Sequence, residues 1–195
     1  MPGRFAASTC SWLLAFTLLA FSTEPLAGEA SGGIVKPRNG AWVPEVEIDL
    51  IAKAEEGHLL LDGEPVETDR PFPGVLHARV HVATGKHSLR LDTPGGSDEI
   101  IFFAGPSPPF PSAAPFVDHP PARIDCTHCH AVSRRGRFRF NGGCQSCHTE
   151  GQFIRTHSHA PHELSSCGMC HDAHGSTVAK LLIVPKETAC KQCHN

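Results

Sequence analysis

The sequence contains no tyrosine and only two methionines, Met1 and Met169. Long apolar runs are scarce too: the stretch from Trp12 to Phe21 is about half the ~20 residues that a membrane-spanning helix needs. Positive charge is not in excess. Lys and Arg number 17 against 20 Asp and Glu, a net charge of −3, which excludes a strongly basic chain built to bind nucleic acid. The hydrophobic share is 40%, low for a chain that must fill a stable core with side chains alone. Something other than side chains is expected to fill part of it. In abundance instead are 9 cysteines, 14 histidines, 18 glycines and 17 prolines.

Residues 1–27 begin with a basic segment at Arg4, continue through the apolar run and end on small residues near Ala27 and Gly28. That order is the order of a secretory signal peptide. Cys10 precedes the apolar run, the wrong side for lipid attachment at a cleavage site. The expected mature chain starts near Gly28, is exported to the periplasm or the cell surface and exterior, and keeps no transmembrane segment.

Without Cys10, all remaining cysteines fall into four copies of one pattern: CTHCH (Cys126, Cys129, His130), CQSCH (Cys144, Cys147, His148), CGMCH (Cys167, Cys170, His171) and CKQCH (Cys190, Cys193, His194). Two thiols separated by two residues can form thioethers with the two vinyl groups of one haem, and the histidine that follows is then held against the iron. Two Cys₄ zinc sites would leave the histidine after each pair unexplained. A disulfide framework suits an exported chain, but it would leave the same four histidines idle. The pattern therefore points to covalently bound haem c, one per motif and four in all.

Charge divides the mature chain. Residues 28–104 hold seven Lys and Arg against thirteen Asp and Glu, whereas 105–195 hold nine against six. Between the halves, residues 105–121 carry 7 of the 17 prolines, a composition that favours an extended, semi-rigid spacer. The expected organisation is a signal peptide at 1–27, a β-domain at 28–104, a Pro-rich linker at 105–118 and a haem-bearing domain at 119–195. In the first domain Val46, Ile48 and Leu50 alternate with Glu47 and Asp49, and Leu76, Ala78, Val80 and Val82 alternate with His77, Arg79 and His81. A period of two means half-buried strands. Turn signals at Arg38-Asn39-Gly40, Asp62-Gly63, Thr84-Gly85 and Thr93-Pro94-Gly95-Gly96 cut the segment into strand-length pieces, the last at Glu99 to Phe103, which predicts an all-β sandwich. The stretches Ile34 to Pro37, Leu61 to Val66 and Gly85 to Leu91 resemble bacterial immunoglobulin-like or fibronectin-type modules. His58, His77, His81 and His87 read as a solvated polar face and receive no function.

The chain from about His119 onward resembles the multihaem c-type cytochromes built on the doubled CXXCH motif, through HAP (His159 to Pro161), CGMCHDAHGS (Cys167 to Ser176) and CKQCH after Leu181 and Leu182. The first pair follows that plan less closely: HPP (His119 to Pro121) precedes CTHCH, but AVS (Ala131 to Ser133) stands where the second pair has DAHGS. Spacings of 18 residues (126 to 144) and 23 residues (167 to 190) make an internal duplication plausible, two haems per unit. The resemblance implies a haem-filled domain with short helices at the motifs and little other regular structure. It implies His130, His148, His171 and His194 as proximal ligands, and His119, His159 and His174 as distal ones. The fourth distal position is open among His157, taken first, His162 and His128. Methionine is excluded as an axial ligand, because Met169 is confined inside CGMCH. Arg134, Arg135, Arg137 and Arg139 are expected to meet haem propionates as bidentate forks or to form a docking face. Phe138 and Phe140 are expected to pack on haem edges.

The expected function is that of an electron carrier, not an enzyme, in an anaerobic respiratory or extracellular electron-transfer chain. Its partners would be other cytochromes or a membrane quinol-oxidising complex, with self-association as a further contact and no nucleic acid. Two other classes fit fewer features. One is a multihaem reductase with an open iron; the other is an adhesive or filament-forming cytochrome.

Overall fold

The structure is a computed structural model that describes residues 32–119, 126–141, 143–149 and 167–194. Eight strands come first: β1 (Gly33–Lys36), β2 (Trp42–Val43), β3 (Glu47–Lys53), β4 (His58–Leu61), β5 (Glu64–Val66), β6 (Val75–His81), β7 (Gly85–Thr93) and β8 (Gly96–Ala104). They form a three-stranded sheet in the order β1-β3-β6 and a five-stranded sheet in the order β2-β8-β7-β4-β5. Every pairing is antiparallel except the short parallel contact of β2 with β8.

The alternation read from the sequence sets which side chains point inward. On β3, Ile48, Leu50 and Ala52 are buried; on β6, Leu76 and Ala78; on β7 and β8, Leu89, Leu91, Ile100, Phe102 and Ala104. Together with Leu59 these residues of both sheets make one hydrophobic core, which defines a sandwich. Each fully buried side chain such as Leu50, Leu89 or Phe102 contributes about 1.5–3 kcal/mol of burial free energy. The outward face of β3 and β6 is polar and paired: Asp49 accepts hydrogen bonds from Arg79 Nε and a terminal Arg79 nitrogen at 2.9 and 3.0 Å, and lies 3.3 Å from His77 Nε2. Burial pulls the Asp49 carboxyl upward, but Arg79, Lys36 and His77 outweigh it and hold it below its ordinary value.

The Asp62-Gly63 signal becomes the β4–β5 hairpin, with both residues at positive φ (53° and 88°), as a two-residue turn of this hand requires. The Asp62 carboxylate meets His87 Nδ1 at 2.7 Å and accepts the Ser88 N–H at 2.9 Å. His77 is thus tied to the sandwich by carboxylates, whereas His87, expected on a solvated face, is buried at 8% exposure with its Nε2 2.7 Å from the Ala83 carbonyl.

The segment after β8 lies against the sandwich. Trp42 Nε1 donates to the Gly105 carbonyl at 2.8 Å, and Phe116 N–H donates to the Trp42 carbonyl at 2.5 Å. The Phe116 ring is 4% exposed and belongs to the sandwich core. Beyond it, Val117 exchanges backbone hydrogen bonds with Ser176 at 2.9 and 3.0 Å, which joins the sandwich to the third CXXCH region.

The C-terminal region has short helices and little regular structure, as expected. A 3₁₀ turn spans Cys126–His128, helix α1 spans Cys144–Cys147, 3₁₀ turns span Cys167–Met169 and Ala179–Leu181, and helix α2 spans Lys186–Cys190. A hairpin of β9 (His130–Val132) and β10 (Phe138–Phe140) is also present. Its turn at Ser133 to Gly136, with Gly136 at φ 74°, follows the SRRG stretch.

Candidate haem-binding site

In a helical turn, residues i, i+3 and i+4 share one face, which is the geometry a CXXCH needs to present two thiols and an imidazole together. Three motifs close that turn from the histidine amide back to the first cysteine carbonyl: His148 to Cys144 at 2.9 Å, His171 to Cys167 at 3.0 Å and His194 to Cys190 at 3.0 Å. The first motif differs. Its turn is held by Cys129 N–H on the Cys126 carbonyl at 3.2 Å, and His130 then enters β9, opposite Phe140.

His130 and His174 lie with ring centres 5.9 Å apart and planes parallel to within 1°. His119 and His148 repeat the separation, 5.9 Å, with planes at 58°. Two imidazoles on opposite sides of one metal ion need roughly 6 Å between ring centres, from ~2 Å per metal–nitrogen bond and ~1 Å from each nitrogen to its ring centre. Both observed pairs join a CXXCH histidine to a histidine outside the motifs. Burial lowers the His130, His119 and His174 imidazoles below their ordinary value of 6.5; at His119 the neighbouring His148 adds to this, and at His174 Asp172 opposes it. A neutral ring is the form that binds a metal.

One further feature fits a haem. His171 Nδ1 lies 2.9 Å from the Lys180 carbonyl, which fixes the tautomer with Nδ1 as donor and Nε2 unprotonated, the form in which an imidazole can ligate a metal. That carbonyl sits in a segment where Lys180 and Leu181 both take positive φ (62° and 57°), costing roughly 1–2 kcal/mol per residue. Antiparallel ties hold the segment: Asp172 N–H donates to Leu181 O and Ile183 N–H to Cys170 O, each at 2.8 Å. The leucine-bearing stretch thus braces the third motif.

Phe138 lies 4.7 Å and Phe140 5.8 Å from His130 by ring centres, and Phe72 of the sandwich lies 5.1 Å from Phe138. His130 therefore sits in an aromatic clasp. Arg134, Arg135, Arg137 and Arg139 are all exposed on the hairpin beside it. His128 is exposed; its carbonyl lies against Gly143, where a side chain would collide at 2.6 Å, so the first and second motifs abut. Burial raises the Cys144 thiol, and Cys167 raises it further, so the second and third motifs also adjoin. The expected ligands His157 and His159, with the rival His162, lie outside the described residues. Sequence reasoning missed Asp172, Arg38 and Phe72, because each acts across a long separation along the chain.

Among the described residues, no group of three or more His, Cys, Asp or Glu side chains converges as a metal cage, and no helix is long and apolar enough to cross a membrane.

Residues 159–195 match the family model described as the doubled CXXCH motif. No curated protein matches the sequence. Among solved structures, the chain is similar to the fibronectin(III)-like modules of CbhA from Clostridium thermocellum, with 20% identity, a TM-score of 0.30, and coverage of 38% of this chain and 95% of that one. It is also similar to the twitchin kinase region from C. elegans, with 13% identity, a TM-score of 0.28, and coverage of 40% of this chain and 17% of that one. The doubled motif implies at least two haem c groups and a cytochrome c-like role in electron transfer.

Proposed function

We propose that the protein is an exported tetrahaem cytochrome c that carries electrons between other redox proteins. The observation that carries this reading is the approach of His130 to His174 and of His148 to His119, each at 5.9 Å, which gives two CXXCH histidines a second imidazole partner. Cys126 with Cys129, Cys144 with Cys147, Cys167 with Cys170 and Cys190 with Cys193 would each bind one haem through thioethers. His130, His148, His171 and His194 would be the proximal ligands. His174 would complete the first site and His119 the second, with His159 and His157 serving the remaining two. When bound, haem c supplies a one-electron Fe(III)/Fe(II) couple whose potential is set by its ligands and surroundings.

The chain's own groups do the rest. Where a histidine from each side would hold the iron, no position would be left for substrate and transfer would be outer-sphere. Phe72 and Phe138 pack against His130, and the hairpin arginines can neutralise propionates as bidentate donors. An anaerobic respiratory or extracellular chain is the setting that suits an exported bis-histidine carrier.

The test is an intact-mass count of haems on the purified holoprotein, joined to quantitative low-temperature electron paramagnetic resonance. Four haems per chain, all low-spin, is the expected result. A count of two would refute the tetrahaem reading. A stoichiometric high-spin signal would replace the carrier with an open-iron reductase.

A further inference from the structure

The sandwich reaches the His130 and His174 pair from two directions. Phe72, in the loop before β6 and 8% exposed, approaches His130 to 6.2 Å between ring centres. Arg38, in the turn between β1 and β2, reaches Asp172, which directly follows the third CXXCH motif. The Asp172 side chain is 7% exposed, and a carboxylate so far from water must be matched by charge and hydrogen bonds. Arg38 Nε donates to Asp172 Oδ2 at 2.8 Å, and a terminal Arg38 nitrogen donates to the same oxygen. The other oxygen, Oδ1, accepts the backbone N–H of His174 at 2.9 Å and stands 3.8 Å from His174 Nδ1. Gly175 follows, so close to Phe116 that an added Cβ would meet the ring at 2.5 Å. The loop bearing His174 is therefore held by the sandwich on both sides.

We infer that Arg38 and Asp172 are positioning residues for His174, and that the sandwich is part of that ligand site instead of a spacer in front of it. The inference rests on His174 being a haem ligand, as proposed above. A carboxylate beside the second nitrogen of a metal-bound imidazole orients the ring and strengthens it as a donor; Arg38 balances that charge. The two residues must then act on the haem in opposite senses. Loss of the Arg38 charge leaves Asp172 uncompensated and favours ferric iron. Loss of the Asp172 charge favours ferrous iron.

The experiment is a spectroelectrochemical titration of full-length holoprotein carrying Arg38→Gln, Arg38→Lys, Asp172→Asn or the Gln/Asn pair. Arg38→Gln should lower the ferrous-to-ferric ratio of one haem about tenfold at fixed potential, 59 mV for a one-electron couple. Asp172→Asn should raise the ratio at the same haem, Arg38→Lys should restore the parent value, and the pair should fall between the two single variants. Unmoved couples, or shifts of the same sign in both single variants, would overturn the inference. His174→Ala separates the two levels: a new high-spin haem alongside unmoved couples in the charge variants removes the positioning role alone, whereas no new high-spin haem removes the ligand reading beneath it.

Discussion

Gly175 offers a test of how the two halves of the chain are joined. Its φ is +120°, a conformation that L side chains rarely adopt, and an added Cβ would stand 2.5 and 2.6 Å from Phe116 Cζ and Cε1 and 2.9 Å from the Val117 carbonyl oxygen. Phe116 has little freedom to retreat, being 4% exposed within the sandwich core. Gly175→Ala thus incurs backbone strain of about 1–3 kcal/mol and overpacking of about 1–3 kcal/mol. The loop can escape both by lifting off Phe116, which breaks the paired hydrogen bonds of Val117 and Ser176 at 2.9 and 3.0 Å. The visible effect is therefore local opening. A loss of about 2 kcal/mol corresponds to roughly 30-fold faster exchange of the Val117 and Ser176 amides by hydrogen–deuterium exchange. Gly136→Ala is the control: it carries the same kind of strain (φ +74°) with nothing within 4 Å, and should leave both amides unchanged. If Gly175→Ala exchanges like the parent at these two amides, the loop does not rest on Phe116 and the reasoning fails.

Three other outcomes are expected. Asp49 titrates below its ordinary 3.8 because Arg79, Lys36 and His77 outweigh its burial, so its stabilising contribution is complete above that value and lost as pH falls through the lowered one; Asp49→Asn should cost about 1–3 kcal/mol at neutral pH and flatten the acid limb of urea midpoints plotted against pH. Leu89→Ala removes a fully buried side chain from the core and should cost about 2–5 kcal/mol, read as a lower thermal midpoint of the β-sheet circular dichroism signal. Replacing Cys190 and Cys193 together by serine should leave a chain one haem lighter by intact mass, and an unchanged haem count would show that this motif carries none.

The sandwich was legible because alternation is a local signal. Ile48, Leu50, Leu76 and Ala78 face inward where the period of two puts them, and Asp62-Gly63 makes the turn its composition predicts. The motif cysteines and histidines were legible because spacing alone defines them. The β9–β10 hairpin was harder: only the alternation of Phe138 and Phe140 after an arginine-glycine turn announces it. Other relations were invisible. Arg38 and Asp172 are 134 residues apart, Phe72 and His130 are 58 apart along the numbering, and no periodicity links partners at such range. Proline density in 105–121 suggests a stretch that spans space, yet the same stretch holds Phe116, whose burial only the packed sandwich reveals.

Phe116 also bears on how such a protein can be rearranged by recombination. A sandwich excised at the end of β8 would leave behind the aromatic ring that closes its own core, and the recipient would inherit a cavity worth about 3–5 kcal/mol of lost stability. The same cut would leave the donor's remaining half with a large apolar side chain and no place to bury it. A cut that keeps the sandwich core whole therefore lies past Val117, and a sandwich excised there should be more stable than one ending at Ala104; the half left behind still loses Arg38 from Asp172 and Val117 from Ser176.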